Sequence, residues 1–181
     1  MPVITRGVRY AKDLLRTIRA RPPVPVEKLA RKYAQIVRES LPSDISGMLV
    51  PLASTDEKSR WAIVVNANDA PVRQRFTIAH ELGHLLIHRY LTPHADGRYQ
   101  VRFRNEKSAS GSVREEIEAN QFAAELLMPE RDVRHLAIRL RLDVLDSDAD
   151  KEAVRKLMSA ARRFQVSVQA LTFRIANLGM T

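Results

Sequence analysis

The segment Arg75-Phe76-Thr77-Ile78-Ala79-His80-Glu81-Leu82-Gly83-His84-Leu85-Leu86-Ile87-His88 carries two histidines four residues apart in a run that reads as helix. At about 3.6 residues per turn, this spacing sets His80 and His84 on one face, one turn apart, so that two imidazole nitrogens converge on one point. A catalytic zinc site takes three protein ligands and leaves the fourth position to water, which Glu81, beside the first histidine, can reach as a base. The rest of the segment is almost wholly apolar: Phe76, Ile78, Ala79, Leu82, Leu85, Leu86 and Ile87. A helix buried by those residues cannot carry two imidazoles and a carboxylate without partners for them. A metal ion supplies the partners; two hydrogen-bonded core histidines are the competing structural account.

A third ligand is sought on the next strong helix, expected over 112–128 and closed by Pro129, which holds Glu115, Glu116, Glu118 and Asn120. Glu116 continues through Asn120, Ala124 and Leu127 along a face that turns apolar, as a residue entering the core should. Glu118 sits instead with Gln121, Phe122 and Glu125 on a mostly polar stripe. Glu115, aligned with Ala119, Phe122 and Leu126, is the second choice. Asn120, one turn beyond Glu116, is placed to hydrogen-bond a ligating imidazole. His88 continues the four-residue spacing but lies about 12 Å from His80 along the helix axis, too far to share one ion with it. His94 and His135 stand in no motif.

Composition narrows the chemistry. The chain has 181 residues, 45% hydrophobic and 28% charged, typical of a globular domain with one core. It contains no cysteine, so disulfides and thiolate sites are excluded and any zinc rests on His and carboxylate. Manganese is the second candidate for such a donor set. No signal peptide or membrane-spanning run is found, which predicts a cytoplasmic protein. The net charge of +9 is uneven: residues 1–40 hold ten Lys or Arg against three acids. That basic arm suits an acidic or nucleic-acid partner, or a surface helix docked on the core.

Apolar periodicity predicts a basic amphipathic helix over 8–20, stopped by Pro22 and Pro23, and a second helix over 26–40. Strands are predicted over 46–52 and 61–66, joined as a hairpin through 53–60, and a short third strand over 99–103. Helices follow over 131–142, 150–164 and 167–178, the last capped by Ser167. The acidic run 146–150 is not a calcium loop, since Lys151 stands where glycine is needed and Leu157 where a bidentate glutamate is needed. The expected fold is α+β: a mainly helical core with a small antiparallel sheet and a C-terminal helical segment.

Ile45 to Leu49, Ile63 to Asn66, the segment from Arg75 to His88, and Glu116 with the run from Glu118 to Pro129 together resemble the ImmA/IrrE family of metallopeptidases. The likeness covers roughly residues 26–135, and Phe164 to Leu171 resembles that family's trailing helical segment; it implies a zincin-like metallopeptidase core at 26–135, between a basic arm at 1–25 and a helical extension at 136–181 packed on the core. The resemblance implies zinc on His80, His84 and Glu116, with Glu81 as catalytic acid and base. It also implies a substrate: members cleave a helix-turn-helix transcriptional repressor, switching on genes of mobile elements or stress responses.

The alternative from another class is a regulator that binds DNA or protein, or a toxin–antitoxin component, with a non-catalytic metal site. Its best support is the stretch 164–178, which resembles the turn and second helix of a helix-turn-helix. That helix has Arg174 as its only charged residue, too few donors for reading a DNA groove. For the donor that stabilises an oxyanion, Tyr99, His94, Arg75 and Arg98 remain open.

Overall fold

The computed structural model describes residues 5–53, 60–88, 112–140 and 150–180. Among the described residues, three strands form one mixed sheet. Gln35–Glu39 (β1) and Gly47–Pro51 (β2) flank the central Trp61–Asn66 (β3). Consecutive residues Ala62 and Ile63 of β3 are both buried, so both faces of the strand are covered. β2 pairs antiparallel with β3 as predicted for the hairpin, from Gly47↔Val65 to Pro51↔Trp61. β1 pairs parallel with β3 on the other side, from Gln35↔Ala62 to Glu39↔Asn66.

That parallel pair corrects two expectations. The sheet is mixed rather than antiparallel, and the helix predicted over 26–40 is only Val26–Ala30 (α2), followed by a turn and then β1. Val26, Leu29 and Ala30 carry the helical periodicity and are buried. Beyond Ala34 the backbone finds a better use: without β1, the edge of β3 would present unpaired N–H and C=O groups. Tertiary pairing outweighs local periodicity here. The crossover from β1 to β2 is held by the buried Asn66. Its Nδ2 donates to the carbonyls of Leu41, Pro42 and Ile45, and its Oδ1 accepts from the amides of Leu41 and Asn68.

After β3 the chain enters Pro71–Gly83 (α3), with proline at the first helical position, where its missing amide costs nothing. The helix runs on into a π-helical turn, His84–His88. Ser112–Leu127 (α4) lies against α3, and at Gly83 the two approach closely: a Cβ there would meet the Phe122 ring at 2.9 Å. Arg6–Ile18 (α1) packs on the same α4 through buried Gly7 and Ala11.

Glu130–Leu140 (α5), Asp150–Phe164 (α6) and Val168–Asn177 (α7) complete the described chain. Ser167 caps α7 as predicted, its side chain accepting from the Ala170 amide. Leu171 and Ile175 of α7 are buried in the core. Arg174 is buried with them, paired with Glu125 of α4 and donating through Nε to the Met128 carbonyl at 3.1 Å. The architecture is α+β, as predicted. The predicted strand over 99–103 and the acidic run 146–149 lie outside the described residues.

Candidate metal centre

The second half of α3 is buried on every side, from Thr77 through Gly83, so its polar residues His80 and Glu81 are hidden, as is His84 at the start of the π-helical turn. His80 is 0% exposed, Glu81 6% and His84 7%. The four-residue spacing brings His80 Nε2 to 2.9 Å from His84 Nε2. Glu116, one turn into α4, closes the group from across the helix interface. Its Oε1 lies 3.1 Å from His84 Nε2 and its Oε2 3.3 Å from His80 Nε2. One ligand atom from each of the three residues lies within 4.8 Å of the other two.

These separations test whether a metal fits. With bonds of about 2.0–2.1 Å, two nitrogen or oxygen ligands of a tetrahedral zinc stand about 3.3 Å apart. The closest contacts in the group, 2.9 to 3.3 Å, are near that edge length. The donor types, two imidazoles and a carboxylate, suit zinc or manganese. Burial opposes the charge on Glu116, but hydrogen bonds from His80 and His84 outweigh it and hold its carboxyl well below the usual range. Those ring protons stand where a cation would be held, and a bound ion would favour the ionised carboxylate in the same way.

Around this group the predicted residues fall as follows. Asn120 Oδ1 is 3.0 Å from His80 Nδ1, on the side of the ring away from the cluster. Glu81 is buried next to His80 in sequence, on the helix that carries both histidines. Glu115 is not part of the cluster, and burial raises its carboxyl above the ordinary value. His135 lines a groove of about 460 Å³ with Asp132, Leu136, Ile138, Arg139 and Arg163, apart from the cluster. Arg75 spends its guanidinium on two backbone carbonyls, those of Val24 at 2.9 Å and Gln165 at 3.2 Å. His94, Arg98 and Tyr99 lie outside the described residues.

Two residues near the site were not foreseen as neighbours of it. His88 does not join the three-residue group, but its Nδ1 lies 3.2 Å from His84 Nδ1. Glu118, predicted on a polar stripe, is 7% exposed, with Oε2 3.2 Å from His88 Nε2. The signal available was the second four-residue step, from His84 to His88; nothing in the spacing of α4 pointed to Glu118.

Residues 39–176 match a peptidase family described as the IrrE N-terminal-like domain, and the chain belongs to that family. It is also 30% identical over 114 residues to a protein of Bacillus phage phi105 named as an uncharacterized immunity region protein. That alignment spans 58% of this chain and 66% of the phage protein. No helix among the described residues is long and apolar enough to cross a membrane.

Proposed function

We propose that this chain is a zinc-dependent endopeptidase that cleaves a helix-turn-helix transcriptional repressor in the cytoplasm, relieving repression of mobile-element or stress genes. The observation that carries the reading is the convergence of His80, His84 and Glu116, with Glu81 adjacent on the same helix. Membership of a peptidase family supports the hydrolytic chemistry. The phage relative, named for an immunity region, supports the regulatory setting.

His80, His84 and Glu116 would hold the ion, leaving a position for water. Zinc bound there supplies Lewis acidity, which makes water easier to deprotonate and a scissile carbonyl easier to attack. Glu81 takes the proton from the attacking water and returns it to the leaving amine, a role suited to a carboxylate largely shielded from bulk solvent. Asn120 Oδ1 accepts the Nδ1 proton of His80, fixing the tautomer that leaves Nε2 free to ligate.

The rival reading, a DNA-binding regulator, needs α7 to present cations. The only charged side chain of α7 is Arg174, and it is buried against Glu125. The test of the peptidase reading begins with metal content. Native mass spectrometry of the intact protein should show one zinc per chain, and His80→Ala should show almost none. A metal-free wild-type protein after purification with added zinc would contradict the reading.

A further inference from the structure

An imidazole that ligates through Nε2 carries its proton on Nδ1, and a buried Nδ1–H needs an acceptor. His80 has one in Asn120. For His84 the partner is another imidazole nitrogen, His88 Nδ1 at 3.2 Å. Two ring nitrogens form a hydrogen bond only when one has the proton and the other a lone pair. If His84 Nε2 faces a metal, His84 must be the donor. His88 Nδ1 then accepts, and the proton of a neutral His88 is left on Nε2. That nitrogen is 3.2 Å from Glu118 Oε2, an anionic acceptor. Every link therefore has a donor and an acceptor in one direction only: from His84 to His88, and from His88 to Glu118.

The surroundings hold this chain in place. The side chains of His88 and Glu118 are 3% and 9% exposed. Arg114 donates through Nε to the second oxygen of Glu118 at 3.3 Å. Arg6 of α1 donates to the Ile87 carbonyl at 2.7 Å, tying down the end of the π-helical turn that carries His88. The turn also has the wider i→i+5 spacing often found at functional sites.

We infer that His88 is a positioning residue: backed by Glu118, it fixes the tautomer and ring orientation of His84 for metal binding. This rests on the zinc reading above. Outer partners of this kind commonly change metal affinity by about 10–100-fold when removed.

The test uses the full-length protein loaded with one equivalent of zinc. Long-range ¹H–¹⁵N correlation spectra of the labelled wild type should show the Nδ1–H tautomer for His84 and the Nε2–H tautomer for His88. Zinc affinity, measured by competition with a chromophoric chelator, should fall about 10–100-fold in His88→Leu. In His88→Asn, whose Oδ1 can take the place of the ring Nδ1, most of that loss should be recovered. An Nδ1–H tautomer at His88 in the wild type overturns the inference without any variant having to fold. Unchanged affinity in His88→Leu overturns it too, as does equal loss in His88→Asn and His88→Leu. If the wild type takes up no zinc, the metal reading itself fails and this inference falls with it; normal zinc uptake with any of the other adverse results overturns the inference alone.

Discussion

Gly7 of α1 lies so close to Glu118 of α4 that a Cβ on Gly7 would stand 2.1 Å from the Glu118 carbonyl oxygen. The contact joins a helix N-terminal to the matched residues 39–176 to the helix that carries Glu116 and Glu118. Gly7→Ala must push the two helices apart, because the obstacle is backbone and cannot rotate away. The expected cost is about 1–3 kcal/mol of unfolding free energy, read from urea denaturation. A variant as stable as wild type would mean that α1 is not seated on α4 in this way.

Glu116 and Glu115 are neighbours in sequence but differ in reach, since only Glu116 belongs to the group with His80 and His84. Glu116→Ala should lower zinc affinity by more than about 100-fold, while Glu115→Ala should leave it near the wild-type value. Isothermal titration of both variants decides the assignment, and the opposite ranking would place the third ligand at Glu115.

The Glu125–Arg174 pair is buried, with side chains 3% and 8% exposed. Arg174→Met removes the cation and strands a buried carboxylate, which should cost about 3–5 kcal/mol. The double variant Glu125→Leu with Arg174→Leu should regain part of this in urea denaturation, since no charge is then left behind. Recovery should be incomplete, because Glu125 Oε1 also accepts from the Glu130 amide at 3.3 Å. A double variant less stable than Arg174→Met would contradict this account of the pair.

Glu27 of α2 receives Nη2 of Arg38 on β1 at 2.6 Å and Nη2 of Arg31 at 2.7 Å. The Arg38 hydrogen bond is the main cause of a carboxyl lowered from 4.5 to about 2. A depressed carboxyl stabilises the fold above its unfolded value and loses that contribution as pH falls. The pair should therefore act fully at pH 6 and fade between about 4.5 and 2. The Glu27 side chain is 35% exposed, so solvent screening limits the effect to about 0.5–1 kcal/mol. Melting of Glu27→Gln against wild type should show this gap at pH 6 and its disappearance near pH 2; a constant gap would show that charge is not its cause.

The sequence located most elements because their signals are local. The β2–β3 hairpin, the serine cap of α7 and the apolar stripe of α1 each depend on residues a few positions apart. β1 was hidden because Val26, Leu29, Ala30, Tyr33 and Val37 fall at helical spacing, and the competing signal was a partner strand more than twenty residues away. The grouping of His80 with His84 is legible in the same local way, four apart on one helix, and helical-face reasoning brings Glu116 to them. Glu118 and Glu125 were placed on a polar stripe because their own helix gives no sign of what meets them. Each is buried by a partner from elsewhere, His88 for Glu118 and Arg174 for Glu125. The π-helical turn at His84 likewise has no counterpart in the apolar periodicity, which runs through it unbroken.

The most direct measurement for the central claim is cleavage of a co-expressed helix-turn-helix repressor by wild type and by Glu81→Gln, each confirmed to hold one zinc. Glu81 is proposed to act on the water and not to ligate the ion, so the amide variant should keep its fold and its metal but be unable to take the proton. The account predicts repressor fragments with wild type and intact, still-bound repressor with Glu81→Gln. Undiminished cleavage by the zinc-loaded Glu81→Gln protein would contradict it.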